Sequence, residues 1–224
     1  MSRILRRVVI AVLACALADL LFLAIRWMEV PHLARGPIPM SRFVREYRHR
    51  PRPGYPLRWR PVRLRAIPLT LQRAVILGED GTFYQNDGFD FDAIENAAQY
   101  DWRAGRIVYG GSTITQQTAK NMFLDRARTF FRKGNEALLT WVLAHTVSKR
   151  RVLALYLNNA QFGHGIYGVQ AAAEYYFGKP VWALDTRQDA EIAATLPDPT
   201  GSNPATRSRY FQNRTHKLLR LLGR

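Results

Sequence analysis

Acidic side chains are scarce in this chain. It has 17 Asp+Glu against 33 Lys+Arg, a formal net charge of +16 over 224 residues. A surplus of that size calls for an anionic partner, which could be nucleic acid, anionic lipid or a phosphate-bearing substrate; the bland alternative is a solvated basic surface. Cysteine is nearly absent. Cys15 is the only one, which excludes an intramolecular disulfide and leaves the compartment open. No His/Cys cluster has metal-site spacing, so none of the metal sites built from those ligands is available. Alternating apolar and polar runs are also rare. The best, "RIVYG" at 106–110, is short, and a sheet-dominated architecture is excluded. There is no internal repeat and no low-complexity tract. What remains is 47% hydrophobic, 12% aromatic and 22% charged, enough to bury a core and against global disorder. The length suits one compact domain with an appendage.

The appendage stands first. "MSRILRR" leads into "VVIAVLACALADLLFLAI" at 8–25, eighteen residues with Asp19 as the one charge, near the minimum for crossing a bilayer of about 30 Å. Arg3, Arg6 and Arg7 precede the run, so the positive-inside rule puts the N-terminus in the cytoplasm and everything after Trp27 outside. "ALA" at 16–18 could serve as a signal-peptide cleavage site and Cys15 as a lipid attachment point. The apolar run continues past both, and cleavage there would expose "LLFLAI"; an uncleaved anchor over 8–26 is the expectation. Asp19 is expected as a tolerated charge near the outer face, with a functional intramembrane role as the alternative.

Residues 26–73 differ in composition. They hold twelve arginines, no lysine, and only Glu29 and Glu46 as acids, with prolines at 31, 37, 39, 51, 53, 56, 61 and 68. Proline spacing this close prevents long helices. The expectation is an extended basic arm over 27–60 lying close to the lipid surface, where each basic residue contributes about 1 kcal/mol near anionic headgroups. Nucleic-acid binding is the rival reading of the arginines; an exporting membrane span argues against it. A folded, mostly α-helical domain over 61–224 is predicted, its apolar periodicity starting near Ile67. "PLTLQRAVILGED" carries helical spacing at 69, 71, 74, 75 and 77. "DAIENAAQYDWRAG" opens with Asp92 and Glu95 in capping-box spacing and closes with Gly105. Further helices are expected at 114–122, from "RKGNE" through "ALLTWVLAHTV", and in "KRRVLALYLNNA", "GVQAAAEYYFG", "RQDAEIAATL" and "RSRYFQNRTHKLLRLLG".

Three segments carry chemistry. Glu79, Asp80, Asp87, Asp90 and Asp92 crowd into fourteen positions beside the apolar "RAVIL". A carboxylate at the edge of a core has its pKa raised by desolvation, which suits acid/base work; helix capping explains the same residues more plainly. In "YGGSTITQQTAKN" at 109–121, Gly110 and Gly111 allow close backbone approach, Ser112 and Thr113 can cap a helix, and Gln117 and Lys120 share a face with Thr113. Amides at that helix start make an anion site; a merely capped polar helix fits equally, and the P-loop spacing is absent. Finally, Arg132, Lys133 and Glu136 fall within one and a half turns. Two cations in a first helical turn oppose the dipole, which hints that they face an anion.

Taken together, the three segments resemble the bacterial peptidoglycan glycosyltransferases of glycosyltransferase family 51, which polymerise lipid II. The family's first motif, Glu-Asp-x-x-Phe-x-x-His-x-Gly-x-Asp, is met by Glu79, Asp80, Phe83, Gly88 and Asp90, with Asn86 in place of the histidine. Its second, Gly-Gly-Ser-Thr-Ile-Thr-Gln-Gln-x-x-Lys-Asn, is matched throughout 110–121, and its third, Arg-Lys-x-x-Glu, by Arg132, Lys133 and Glu136. "SK" at 148–149, "LYLN" at 155–158, "FGHGIYGVQAAAEYYFGK" at 162–179 and "LPDP" at 196–199 extend the likeness, which covers about 60–222. His164 falls where the family varies and reads as structural or exposed. Asn86 can hydrogen-bond but cannot carry charge.

The resemblance implies a lysozyme-like, all-α fold with a cleft, of the monofunctional, membrane-anchored type. It implies a lipid-linked glycan transferred to the GlcNAc 4-hydroxyl of lipid II with inversion, releasing undecaprenyl pyrophosphate. Glu79 would be the base, and Glu136 would orient the cations or protonate the leaving phosphate. Asp80, Phe83, Ser112, Thr113, Gln117, Lys120, Asn121, Arg132 and Lys133 would bind substrate. A divalent cation (Mg or Mn) near the pyrophosphate, an anionic membrane surface and other cell-wall synthesis proteins complete the implied partners, at the outer face of the bacterial inner membrane. A lysozyme-like glycan hydrolase and, because of Asn86, a catalytically weak membrane scaffold are the alternatives.

Overall fold

The computed structural model describes residues 2–104, 111–127 and 129–223. The mostly helical expectation is met. In chain order the elements are α1 (Arg3–Glu29), a 3-10 turn (Val30–Ala34), α2 (Arg42–His49), β1 (Arg58–Trp59), a second 3-10 turn (Leu64–Ala66), α3 (Leu69–Glu79), α4 (Phe91–Ala104), α5 (Ile114–Phe123), α6 (Phe130–Thr146), α7 (Lys149–Asn159), β2 (Gln161–Gly163), β3 (Ile166–Tyr167), α8 (Val169–Phe177), a third 3-10 turn (Val181–Ala183), α9 (Thr186–Thr195) and α10 (Arg209–Leu221). "RIVYG", Gly105 and Gly110 lie outside the described residues. The small sheet has the order β1-β3-β2, with Arg58 opposite Ile166 in a parallel pair and Gln161 opposite Tyr167 in an antiparallel one. Strands of two or three residues are too short to carry an alternation signal, so the pattern of the chain did not announce them.

Helix starts follow the side chains in front of them. Ser41, Thr113, Thr129, Ser148, Asp185 and Ser208 each accept a hydrogen bond from a backbone N–H in the first turn; such caps contribute about 1 kcal/mol apiece. The α4 cap is shifted from expectation. Asp90, not Asp92, accepts from the Ala93 N–H at 2.8 Å, because α4 already begins at Phe91.

The core gathers around α7. Its residues from Val152 to Asn159 are all buried, the apolar ones within the main core. α5 packs on α6 and α7, while α3, α9 and α10 pack on one another. Phe83, Leu71, Ile114, Leu139, Leu153 and Phe162 are among the fully buried side chains.

Residues 27–60 depart from the extended arm that their prolines and arginines suggested. α1 continues to Glu29, and Val30, Leu33, Phe43 and Val44 are buried. The packed body therefore begins ahead of Ile67. Three side chains of the core bind the segment down. Arg151 donates to the carbonyls of Leu33 (2.6 Å), Arg35 (3.2 Å) and Pro37 (3.0 Å). Asn159 accepts from Ser41 N at 2.8 Å and donates to Pro39 O at 3.2 Å. Asn158 accepts from Val62 N at 2.7 Å and donates back to its carbonyl at 3.0 Å. The prolines do keep helices short here, but the carbonyls they leave unpaired are met by side chains rather than by water.

α1 itself is 27 residues long, roughly 40 Å at 1.5 Å per residue. Leu13, Leu17, Leu20 and Leu21 lie more than half exposed along it. It is long and apolar enough to cross a membrane.

Candidate active site

Glu79 is the last residue of α3, delivered to the surface of the core by the apolar face formed by Leu71, Ala74 and Val75. Its side chain is 11% exposed. Gln117 on α5 donates from Nε2 to Oε2 at 3.0 Å, and Arg214 on α10 donates from Nη2 to Oε1 at 2.6 Å and to the Gly78 carbonyl at 2.8 Å. The Gln117 amide is oriented in turn by the buried Tyr156 hydroxyl, which donates to its Oε1 at 3.0 Å. Burial pushes the Glu79 carboxyl above its ordinary range, opposed by the Arg214 charge, the Gln117 hydrogen bond and the Lys120 charge. The result is a carboxyl that is partly desolvated and held on two sides.

Asp80 has a different task. Its Oδ2 accepts from the Ile114 N–H at 2.9 Å and its Oδ1 from Asn86 Nδ2 at 2.8 Å. The carboxyl is pushed up by burial against the pull of those bonds and of Lys149. The start of α5 was expected to present free amides to a phosphate; Asp80 already occupies it. Thr113 is engaged as well. Its hydroxyl donates to Gly88 O at 2.7 Å and accepts from Gln116 N at 3.1 Å, and Gln116 Oε1 accepts from Thr113 N at 2.9 Å, a full capping box. Gly88 sits at φ +98, where a Cβ would also meet that of Ala144 at 2.9 Å; only glycine fits. Gly111 lets the loop approach α4: a Cβ there would lie 3.0 Å from Ile94 Cα.

Asn86 occupies the position where the resemblance expects histidine. Its Nδ2 donates to Asp80, and its Oδ1 accepts from Lys149 Nζ at 2.9 Å and from Gly88 N at 3.0 Å. It is an uncharged bridge between an anion and a cation, so its work is to hold the loop. Phe83 is fully buried beneath Lys149, whose Nζ lies 4.8 Å from the ring centroid; it is core and offers substrate no surface. His164, in the β2–β3 turn, has its ring 5.0 Å from that of Tyr55 and tilted to it by 56°, and accepts from Arg52 at 2.8 Å.

Glu79, Asp80, Ser112, Thr113 and Gln117 line a cavity of about 1150 Å³ whose far wall is Tyr210, Asn213, Arg214 and Lys217 of α10. The third motif forms a separate cluster. Arg132 Nη1 donates to Glu136 Oε2 at 2.6 Å, Lys133 pairs with Glu136 Oε1, and Arg132 Nε donates to the Ala127 carbonyl. Glu136 is buried between the two cations. Among the described residues, Lys120, Asn121, Arg132, Lys133 and Glu136 do not line the cavity.

The link between the clusters is α5. Lys120, one turn beyond Gln117, bears electrostatically on Glu79 and on Glu136. Burial depresses the Lys120 ammonium; Glu136 opposes that, and Arg132, Lys133 and Arg126 add to it. Among the described residues Lys120 has no ion pair or hydrogen bond. One helical face thus runs from a held base to an unpaired cation and on to an ordered pair of cations. A divalent cation does not fit this donor set by itself. Both Glu136 oxygens and both Glu79 oxygens already face donors, and the described residues hold no group of three or more His, Cys, Asp or Glu able to ligate a metal.

Arg214 and the α10 wall were not foreseen. Arg214 lies 135 positions from its partner, and the only trace in the chain was the basic, amphipathic character of "RSRYFQNRTHKLLRLLG".

A desolvated carboxyl beside a row of cations, in a helical body carried on a long apolar helix, is an arrangement suited to the chemistry of a carbohydrate-active enzyme. Residues 52–222 match the family described as "Transglycosylase", and the chain belongs to that family. Curated relatives described as "Biosynthetic peptidoglycan transglycosylase" are 42% identical over 171 residues in Burkholderia thailandensis (76% of this chain, 67% of the relative), 46% over 158 in Bordetella avium (69% and 66%) and 43% over 152 in Acinetobacter baumannii (68% and 68%). The chain is a glycosyltransferase with a lysozyme-like helical domain.

Proposed function

We propose that this enzyme polymerises the glycan strands of peptidoglycan. It transfers a lipid-pyrophosphate-linked glycan to the GlcNAc 4-hydroxyl of lipid II and releases undecaprenyl pyrophosphate. The observation that carries the reading is the face of α5, which joins Glu79 to the cations through Gln117 and Lys120.

Glu79 takes the proton of the incoming hydroxyl. Desolvation makes its carboxylate more basic, and Gln117 and Arg214 fix its direction; a positioned base of this kind contributes about 10²–10⁴-fold. The hydroxyl oxygen then bonds to the anomeric carbon as the bond to the pyrophosphate oxygen breaks. A single displacement inverts the centre, from an α-linked donor to a β-linked strand. Charge grows on the leaving pyrophosphate, and cations aimed at it stabilise the transition state. Lys120, free of any protein partner among the described residues, supplies the most direct charge. Glu136 orders Arg132 and Lys133; with both oxygens bound by them, it serves orientation better than protonation. Ser112, in the loop just ahead of α5, and Asn121, within the helix, extend the donor set. With Arg3, Arg6 and Arg7 before the apolar run, α1 anchors the enzyme in the inner membrane with its catalytic body on the periplasmic face, where the lipid tails of both substrates reside.

Incubating the purified chain with lipid II, beside Glu79→Gln, tests this. The expected result is long glycan from the parent and a loss of at least about 10²-fold in the variant. Shortened glycan would mark a hydrolase. No polymer from either protein, across detergents and added divalent ions, would sink the transferase reading.

A further inference from the structure

Asp19, the one charge in the apolar run, is not left alone in hydrocarbon. Its Oδ1 accepts a hydrogen bond of 2.7 Å from Asn135 Nδ2, across 116 positions. Asn135 is buried on α6 immediately before Glu136 and two residues after Lys133.

The contact belongs to a stripe. On α1, Asp19, Phe22, Leu23 and Arg26 are half-buried while their neighbours are exposed, and Val30 beyond them is buried. That is the i, i+3, i+4, i+7 spacing of one helix face. Phe22 and Leu23 pack against the main core, and the Trp27 ring meets that of Trp141 at 5.7 Å. Asp19 meets Asn135 and Trp27 meets Trp141, so the two helices run in the same direction side by side. Asp19 precedes Ile25, the outer end of the apolar run, by six residues, roughly 9 Å of helix. Pairing with it brings Asn135 to that depth and the first turn of α6, which precedes it and carries the exposed Phe130 and Phe131 beside Arg132 and Lys133, a few ångströms below it.

Apolar packing alone would not require this pair. Leucine at both positions would insert more readily, and apolar surfaces slide past one another at little cost in a solvent as apolar as themselves. A single polar pair in such a seam selects one register.

We propose that the Asp19–Asn135 hydrogen bond is a register latch between the membrane anchor and α6, setting the height and rotation at which Arg132 and Lys133 meet the pyrophosphate of a bilayer-held substrate. Asp19 and Asn135 are positioning residues. The proposal rests on the reading of α1 as a bilayer span and of α6 as part of the transferase site.

The test uses the full chain in liposomes, in a Cys15→Ser background, with Leu138→Cys on α6 carrying a fluorophore quenched by nitroxide lipids at graded depths. Steady-state polymerisation is measured on the same samples. Asp19→Leu is expected to shift the label on the order of 3–5 Å, up to one helical turn, and to raise KM for lipid II about tenfold with kcat changed less than about twofold, the mark of lost positioning for binding. Asn135→Asp, which sets two acceptors face to face, should do the same. Asp19→Asn keeps an acceptor and should retain parental behaviour. The exchange Asp19→Asn with Asn135→Asp should restore both readouts. An unchanged depth in Asp19→Leu, or a shifted depth with KM untouched, overturns the latch. So does a parental label that no nitroxide lipid quenches. A parent that is quenched but makes no polymer refutes the transferase reading, while the depth shift still judges the register.

Discussion

The two glutamates of the candidate site, Glu79 and Glu136, occupy different environments, although each is nearly buried and each faces a guanidinium. Glu79 meets one cation, Arg214, and one neutral donor, Gln117. Burial outweighs them, and its carboxyl is pushed above the ordinary range. Glu136 meets two cations within its own helix, at i−4 and i−3, and each of its oxygens is bound. Glu79 is held by side chains from two other helices, whereas Glu136 spends both of its oxygens on fixing two neighbours of its own helix.

The comparison can be broken from either side. Removing the proposed base, Glu79→Gln, carries the largest expected effect, as set out above. Next comes Glu136→Ala, which leaves Arg132 and Lys133 uncompensated beside Lys120. Lys133 is 48% exposed and Arg132 16%, so the loss should stay below the roughly 3–5 kcal/mol of a fully buried pair; thermal unfolding should fall by several degrees, with KM for lipid II raised in the surviving protein. A stability close to the parent's would mean that the Arg132–Glu136–Lys133 cluster is not the structural unit its geometry indicates.

Arg214→Met sharpens the comparison by shifting one glutamate without removing it. Arg214 holds the Glu79 carboxyl down against burial. Its loss raises that pKa further. Activity requires the ionised base, so the acid limb of the kcat/KM profile should move to higher pH, with more activity lost below neutrality than above it. A profile that falls uniformly at all pH values would contradict a direct electrostatic role.

The smallest effect comes from a third carboxyl, Asp189 on α9. It is buried, its Oδ1 has no hydrogen-bond partner among the described residues, and burial together with nearby Asp185 pushes it up to about 7 from 3.8. Between those values the folded state keeps a proton that the unfolded chain has released. Stability therefore falls as pH rises through that window. Asp189→Asn should remove the decline and gain roughly 1–2 kcal/mol at pH 8, after allowance for partial solvent screening. Urea melts at pH 5 and pH 8 would read it; equal stabilities in the parent at the two values would contradict it.

Much of the site was legible because its parts are local. The periodicity of 69–79 placed Glu79 at the end of an apolar helix, and the four- and three-residue spacings of Gln117 and Lys120 put them on one face. Arg132, Lys133 and Glu136 needed only one helix to meet. Other parts were hidden. Asp80 and Thr113 read as ligand groups; both line the cavity, but their side chains are also engaged in closing the start of α5, and Phe83 reads as a contact and is fully buried. A capping residue and a ligand-binding one share the same chemistry, and only the partner distinguishes them. The wrapped course of 27–60 was hidden too, because its anchors, Arg151, Asn158 and Asn159, stand about a hundred residues away.

By itself the chain determined its helical class, the long apolar helix, the charge imbalance and the motifs that mark the family, since each rests on composition or on spacings of a few residues. The fold alone decided which carboxyl is desolvated, that Lys120 lacks a partner among the described residues, and that Asp19 meets Asn135. Those are properties of dielectric and distance between segments far apart in sequence, and they come into being only when packing brings the segments together.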